Sequence, residues 1–372
     1  MTFLIITHVP HIFQKNQIFG YAPYIREMNI WTKFVQKVVI VAPVINAQKT
    51  EIDLEYNHQN IDFIKVSTLD LLSFKTKIIT VFKLPKIFFQ LYCAIKKADH
   101  IHLRCPGNMG LLGCIIQIFF PTKIKTAKYA GNWDPKSPQP WSYRLQKAIL
   151  SNTFLTKNMQ VLVYGEWPKS SQNIKPFFTA SYSENEKKPL VTKNLNQQIN
   201  FVFAGMLVAG KNPIYAIKLI HALENKGINA HLNLYGDGIL RDEIHSYITT
   251  NRLTKSITMH GNQNHETLKS AYQSSHFSIL PSQSEGWPKA VVEAMFWGCV
   301  PIATPVSCVP QMLDFENRGL LLTMDLETDL LKIMTLLQNK NKFDTMQEQA
   351  ATWSKKYTTN VFEDQIKLLL LR

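Results

Sequence analysis

The sequence predicts an α/β protein built from two doubly wound domains. Short β-branched runs alternate with helix-length segments, the alternation runs through two series, and a polar stretch at 181–198 (SYSENEKKPLVTKNLNQQ) separates the series. At 372 residues the chain also exceeds what one ordinary core serves.

In the first series, strands are expected at 3–7, 38–42, 61–66, 101–103, 126–129 and 160–163, with helical or loop segments at 23–34, 73–97, 111–119 and 142–153. In the second, strands at 201–204, 231–235, 256–259, 277–280 and 300–303 alternate with helices at 213–225, 239–249, 265–274 and 288–297. Residues 343–372 read as helix, with Trp353, Tyr357, Phe362, Ile366 and Leu369 for packing. The expected division is an N-terminal Rossmann-like domain over 1–185, a linker over 186–198, a second Rossmann-like domain over 199–345, and C-terminal helices over 346–372 available to pack back on the first domain.

Composition removes several classes. A hydrophobic fraction of 45% with 18% charged residues excludes a disordered chain, and 15 Gly and 18 Pro without a short repeat exclude collagen-like and low-complexity chains. The five cysteines (Cys93, Cys105, Cys114, Cys299, Cys308) include no C-x-x-C pair, which fits a reducing, cytoplasmic setting. The opening residues lack a basic leader region and read as a first strand. The longest apolar stretch, 111–120, is interrupted by Gly113 and Gln117 and stops at Pro121, short of the ~20 residues a bilayer span needs.

The charge is unevenly spread. Residues 1–200 carry 25 Lys and Arg against 11 Asp and Glu, whereas residues 201–372 carry 16 of each. An anionic surface or ligand for the first half is one reading, and a solvated basic surface is the other. Nucleic acid is not an expected partner, because no zinc spacing, aromatic RNA-binding motif or dense Arg cluster accompanies the lysines. The segment 71–89 interleaves Lys75, Lys77, Lys83 and Lys86 with Phe74, Ile78, Ile79, Phe82, Ile87 and Phe88. Such a mixture suits a peripheral helix on anionic lipid. A core helix with a lysine face, interrupted at Pro85, is the alternative.

Two strand-to-helix junctions carry the chemistry. The first reads Gly205-Met-Leu-Val-Ala-Gly210-Lys211-Asn212-Pro213. Its glycines admit a ligand to the backbone, a helix N-terminus favours an anion, and Lys211 adds charge. An ordinary turn with a surface lysine is the plain alternative. Asn212 stands where a P-loop needs a hydroxyl for Mg²⁺, so a P-loop nucleotidase is not expected. The second junction, Leu280-Pro-Ser-Gln-Ser-Glu285-Gly286-Trp287-Pro288-Lys289-Ala-Val-Val-Glu293, sets two carboxylates eight residues apart. Pro288 is expected at the first helical position, leaving nearby amides free, and Lys289 opposes the helix dipole there. Helix capping for Glu285 and a solvated helix face for Glu293 are the alternatives.

This Glu-x₇-Glu element, followed by Gly298-Cys-Val-Pro301-Ile-Ala-Thr304, resembles the retaining glycosyltransferases of family 4, which have the GT-B fold. The pieces Tyr235-Gly236-Asp237-Gly238, His260-Gly261-Asn262 and Arg318-Gly319-Leu320-Leu321 fall in the family's order. The resemblance covers about 200–322 closely and the first half by topology. It implies two domains facing a central cleft and a nucleotide-diphosphate sugar as donor. No cofactor is expected, and no D-x-D element is placed at a strand end, so no catalytic metal is expected either. Glu285, with Gly286, Trp287, Pro288 and Lys289 beside it, would hold the donor sugar and phosphate. Glu293 would accept from the ribose hydroxyls. Lys211 would neutralise the diphosphate, and Gly205, Gly236 and Gly261 would line the donor site. The family's usual Arg is Met206 here, and its His is missing from Tyr129-Ala130-Gly131-Asn132-Trp133-Asp134. Asn132 is the catalytic candidate in that stretch, with Asp134 on the acceptor side or both in a tight turn. Gly20, Arg26 and Arg104 are further candidates on the acceptor side.

The expected function is sugar transfer to a glycan or lipid-linked glycan, in polysaccharide, capsule or cell-envelope assembly. A nucleotide-sugar epimerase of the same fold, or a non-catalytic anion- or lipid-binding protein, would use many of the same residues.

Overall fold

Runs such as Phe3-Leu-Ile-Ile6 and Val38-Val-Ile-Val41 form central strands because branched side chains pack well on a pleated sheet covered on both faces. The computed structural model describes residues 1–15, 17–67 and 74–371, with side chains from 82 onward in the helix that starts at Phe74. Two units emerge, residues 1–178 with 363–372, and residues 179–362.

The first unit contains β1 (Thr2–Ile6), β2 (His11–Gln14), β3 (Gln17–Tyr21), α1 (Ala22–Thr32), β4 (Lys37–Pro43), β5 (Asp53–Glu55), β6 (Ile61–Val66) and α2 (Phe74–Lys97). It continues with β7 (His100–Cys105), α3 (Asn108–Ile116), β8 (Ile124–Tyr129), α4 (Trp141–Ser151), β9 (Met159–Tyr164) and β10 (Ile174–Phe177). Seven parallel strands lie in the order β10-β9-β8-β7-β1-β4-β6. Between β1 and α1 the chain forms a hairpin, β2 with β3, extended by β5 into a small antiparallel sheet. α2 runs without a break through Pro85.

The second unit contains β11 (Ile199–Ala204), α5 (Pro213–Asn225), β12 (Ala230–Tyr235), α6 (Arg241–Thr250), β13 (Ile257–Gly261), α7 (His265–Ser274), β14 (Phe277–Leu280) and α8 (Lys289–Phe296). β15 (Val300–Ala303), α9 (Val309–Met312), β16 (Leu320–Leu321), α10 (Leu326–Leu337) and α11 (Lys340–Ser354) follow, and α12 (Thr359–Leu370) begins in this unit and ends in the first. Its six parallel strands are ordered β13-β12-β11-β14-β15-β16, the winding of a Rossmann sheet. The polar stretch read as a linker belongs to this unit. Ser183 and Glu186 form a capping box there, and Lys269 Nζ meets Glu186 Oε1 at 2.9 Å. α11 also stays with the second unit, and only residues 363–372 join the first, where Lys33 Nζ meets Glu363 Oε2 at 2.6 Å. Among the described residues no helix is long and apolar enough to cross a membrane.

Part of the basic excess is spent inside the first unit. Lys128 is fully buried, donates to the Phe178 carbonyl at 2.7 Å and lies over the Phe177 and Tyr164 rings. Lys125 donates to the Phe120 carbonyl at 3.0 Å, and burial lowers its pKa to about 8. Three buried imidazoles complete this polar interior. His100 and His102 share the Thr126 hydroxyl at 3.0 and 2.9 Å, and His11 Nε2 lies 3.1 Å from Tyr56 OH.

Burial pushes His11 and His100 down to about 4 from 6.5, so both are neutral in the folded protein at pH 6. Between pH 6.5 and 4 the unfolded chain binds more protons, and stability therefore falls as pH falls. Each group contributes roughly 3 kcal/mol across that window. The urea midpoint of wild type is expected to drop more over this range than that of a His100→Phe variant, and equal drops would contradict the assignment.

Candidate active site

In the second sheet the strand order reverses between β11 and β14, so the loops leaving their carboxyl ends turn to opposite sides and open a crevice. Loop 205–212 follows β11 and loop 281–288 follows β14. The two junctions singled out in the sequence are thus neighbours. Gln283 N–H donates to the Gly210 carbonyl at 2.9 Å, and Lys211 Nζ meets Glu285 Oε1 at 2.5 Å. The Lys211 side chain is 25% exposed and that of Glu285 only 8%, so the pair is largely out of solvent.

Local backbone explains the pair. A 3₁₀ turn over Ala209–Lys211 ends at Asn212 in the left-handed conformation, with φ 51°, from which Pro213 opens α5. Glu285 precedes α8 rather than lying in it. Pro288 caps that helix and Lys289 is its first residue, one position later than expected. The carbonyl of Gly286 accepts from Ser307 Oγ at 3.1 Å and Cys308 Sγ at 3.3 Å, which fixes the peptide after it.

Glu293, inside α8, has different company. Ser181 Oγ donates to its Oε1 at 2.5 Å, and Tyr272 OH faces its Oε2 at 3.5 Å. Burial and the Glu293 charge hold the Tyr272 phenol well above its usual range, so it remains a donor. The two carboxylates are thereby differentiated, one by an ammonium group and the other by hydroxyls. A small pocket lined by Ser181, Tyr182, Trp287, Lys289, Glu293 and Tyr357 lies at the second. The Trp287 ring packs on Trp353 and Tyr357, with centroids 6.1 and 5.3 Å away. Ser181 and Tyr272 were not anticipated. Ser181 sits in a polar stretch without periodicity, and Tyr272 looks like one apolar position of α7.

The strand-end glycines have an internal reason as well. Gly205 N–H donates to Tyr235 O at 2.9 Å and Gly236 N–H to Gly261 O at 2.8 Å, extending the sheet ladder. Gly236 has φ 131°, and a Cβ there would stand 1.9 Å from the Gly205 carbonyl oxygen. Gly261, at φ 68°, also needs the freedom of glycine, whereas Gly205 meets only ordinary contacts. Met206 is exposed beside them.

The candidates of the first unit are largely engaged in structure. Arg104 Nη1 lies 3.4 Å from buried Glu27 and its guanidinium 5.4 Å from the Tyr24 ring, an internal ion pair rather than a free cation. Gly20 lies in β3, paired with His11 and Leu54, where an added Cβ would press on Ile25. Arg26 is an exposed residue of α1. Asn132 Oδ1 accepts from Asp134 N–H at 2.9 Å and Asp134 Oδ1 from Lys136 N–H at 2.8 Å, so both side chains close the tight turn.

Residues 184–353 match the family model for glycosyl transferases group 1. The matched segment holds Lys211, Glu285, Glu293 and the three strand-end glycines. Protein CapJ of Staphylococcus aureus is 25% identical over 290 residues, covering 74% of this chain and 72% of its own length. The uncharacterized glycosyltransferase MJ1178 of Methanocaldococcus jannaschii is 29% identical over 158 residues, 42% of this chain and 43% of its own length. The crystal structure of Anabaena HepE in complex with UDP aligns with a TM-score of 0.72 at 14% identity, covering 99% of this chain and 98% of that one. Both units thus have the Rossmann-like winding of GT-B glycosyltransferases.

Because the Gly205 carbonyl blocks any side chain at Gly236, Gly236→Ala is expected to destabilise the second unit by about 2–4 kcal/mol. A melting temperature equal to wild type would contradict that packing.

Proposed function

We propose that the chain transfers a sugar from a nucleotide-diphosphate sugar to a glycan or lipid-linked glycan, with retention at the anomeric carbon and without a metal. The setting is polysaccharide, capsule or cell-envelope assembly on the cytoplasmic side. The observation that carries the reading is the Lys211–Glu285 pair at the reversal point of a group 1 unit. HepE, whose fold this chain shares, has been crystallised with UDP, which makes UDP the first nucleotide to test.

The pair has a direct chemical use. An arriving diphosphate replaces Glu285 as the anion next to Lys211, and the released carboxylate is then free to accept hydrogen bonds from the hydroxyls of the sugar. Charge on the departing diphosphate is met by an ammonium group already in position. In the transfer step the bond from anomeric carbon to phosphate oxygen breaks and the acceptor oxygen bonds to the same face. The acceptor proton passes to the departing phosphate oxygen. Glu293, already among hydroxyl donors, accepts from the ribose diol, with Ser181 and Tyr272 orienting it.

Three variants separate these roles. Lys211→Ala should weaken UDP far more than UMP. Glu285→Ala should abolish transfer while UDP affinity stays level or rises, because Lys211 has lost its internal partner. Glu293→Gln should weaken uridine, UMP and UDP alike by about 1–3 kcal/mol, the range for losing a charged hydrogen bond. Calorimetry on the four proteins checks all three, and a Lys211→Ala variant that loses UMP and UDP equally would end the phosphate assignment. Turnover is expected to be unaffected by a chelator.

A further inference from the structure

The outward face of α2 carries a stripe of a kind that folding alone does not call for. Ile87, Leu91, Ala94 and Ile95 are buried in the core of the first unit. On the other side Phe82 is 81% exposed, and Lys86, Phe89, Tyr92 and Lys96 are exposed with it. Their spacing of three or four residues puts them on one face, about 20 Å long at helical rise.

The stripe continues beyond the helix. The Tyr92 ring lies 5.0 Å from that of Phe120, whose neighbour Phe119 is exposed. Lys123 Nζ donates to the Ala98 carbonyl at 2.6 Å, tying this turn to the end of α2. Asn158 Nδ2 donates to the Pro121 carbonyl at 3.1 Å and brings in Phe154, 76% exposed, with Lys157 over its ring. Between residues 71 and 133 the chain holds ten Lys and Arg and one acidic residue, Asp99. Three of these cations, Arg104, Lys125 and Lys128, are committed to the interior, whereas Lys86, Lys96 and Lys97 are exposed.

Water alone favours lysine and disfavours exposed phenylalanine, and a protein interior does the reverse. A bilayer interface accommodates both, with rings among the acyl chains and ammonium groups among the phosphates. We propose that this face of the first unit docks on an anionic phospholipid bilayer. The side chains of Lys75 and Lys77, also expected in such a contact, lie outside the described residues.

The proposal is independent of the donor-site reading, and one set of samples tests both. The full chain is floated with vesicles of phosphatidylcholine alone and of phosphatidylcholine and phosphatidylglycerol in equal parts, at low and high salt. Binding is expected to the second kind only and to fade with salt. A Phe82→Ser, Phe89→Ser, Phe119→Ser variant, with its charge intact, should lose affinity by about tenfold or more. So should a Lys86→Gln, Lys96→Gln, Lys97→Gln, Lys157→Gln variant. All the substituted positions are exposed, and unchanged melting temperatures and UDP responses certify the fold. Equal binding to both vesicle types, binding to neither, or a Phe variant that binds like wild type would overturn the proposal. If vesicles bind nothing while gel filtration gives a dimer that the Phe variant splits, the face belongs to a second copy instead.

Discussion

Every strand of the second sheet runs the same way, so all six carboxyl ends gather on one edge, and the crossovers leave room at one place along it. That constraint decides which distant residues meet. Lys211 and Glu285 are 74 positions apart, yet the loops after β11 and β14 must leave the sheet side by side. The remaining details refine this arrangement. Asn212 turns the first loop, Gln283 ties the second to it, and Ser307 and Cys308 hold the Gly286 peptide.

Within that frame the protein makes two like carboxylates unlike. Glu285 is neutralised by a cation and shielded from water, while Glu293 is surrounded by neutral hydroxyl donors. A negative group beside a lysine can be displaced by another anion at modest cost, since the ammonium group keeps a partner throughout. A carboxylate held by hydroxyls favours more hydroxyls. The chemistry of each site follows from its neighbours more than from its own functional group.

Much of this was legible in the residues. The strand and helix alternation, the two junctions and the strand-end glycines are local patterns, and local patterns survive without knowledge of partners. The misses share one physical cause, dependence on contacts far along the chain. Arg104 looks like an open cation until Glu27, 77 residues earlier, is found beside it. Gly20 looks like a loop glycine until His11 and Leu54 pair with it on either side. Ser181 looks like linker until Glu293, 112 residues on, accepts its hydroxyl. Asn132 and Asp134 are the reverse case, because their turn is local and the sequence offered both readings.

The path of the chain has a consequence of its own. Residues 363–372 return to the first unit, so the second unit, continuous from 179 to 362, is in effect an insertion within the first. On the ribosome the order of synthesis and the order of completion then differ. The N-terminal sheet emerges first, yet it must wait for residues carrying Glu363, Ile366 and Leu369 before its last surface is covered. The later-made unit has every residue it needs by Phe362 and can finish folding while the earlier one is still open.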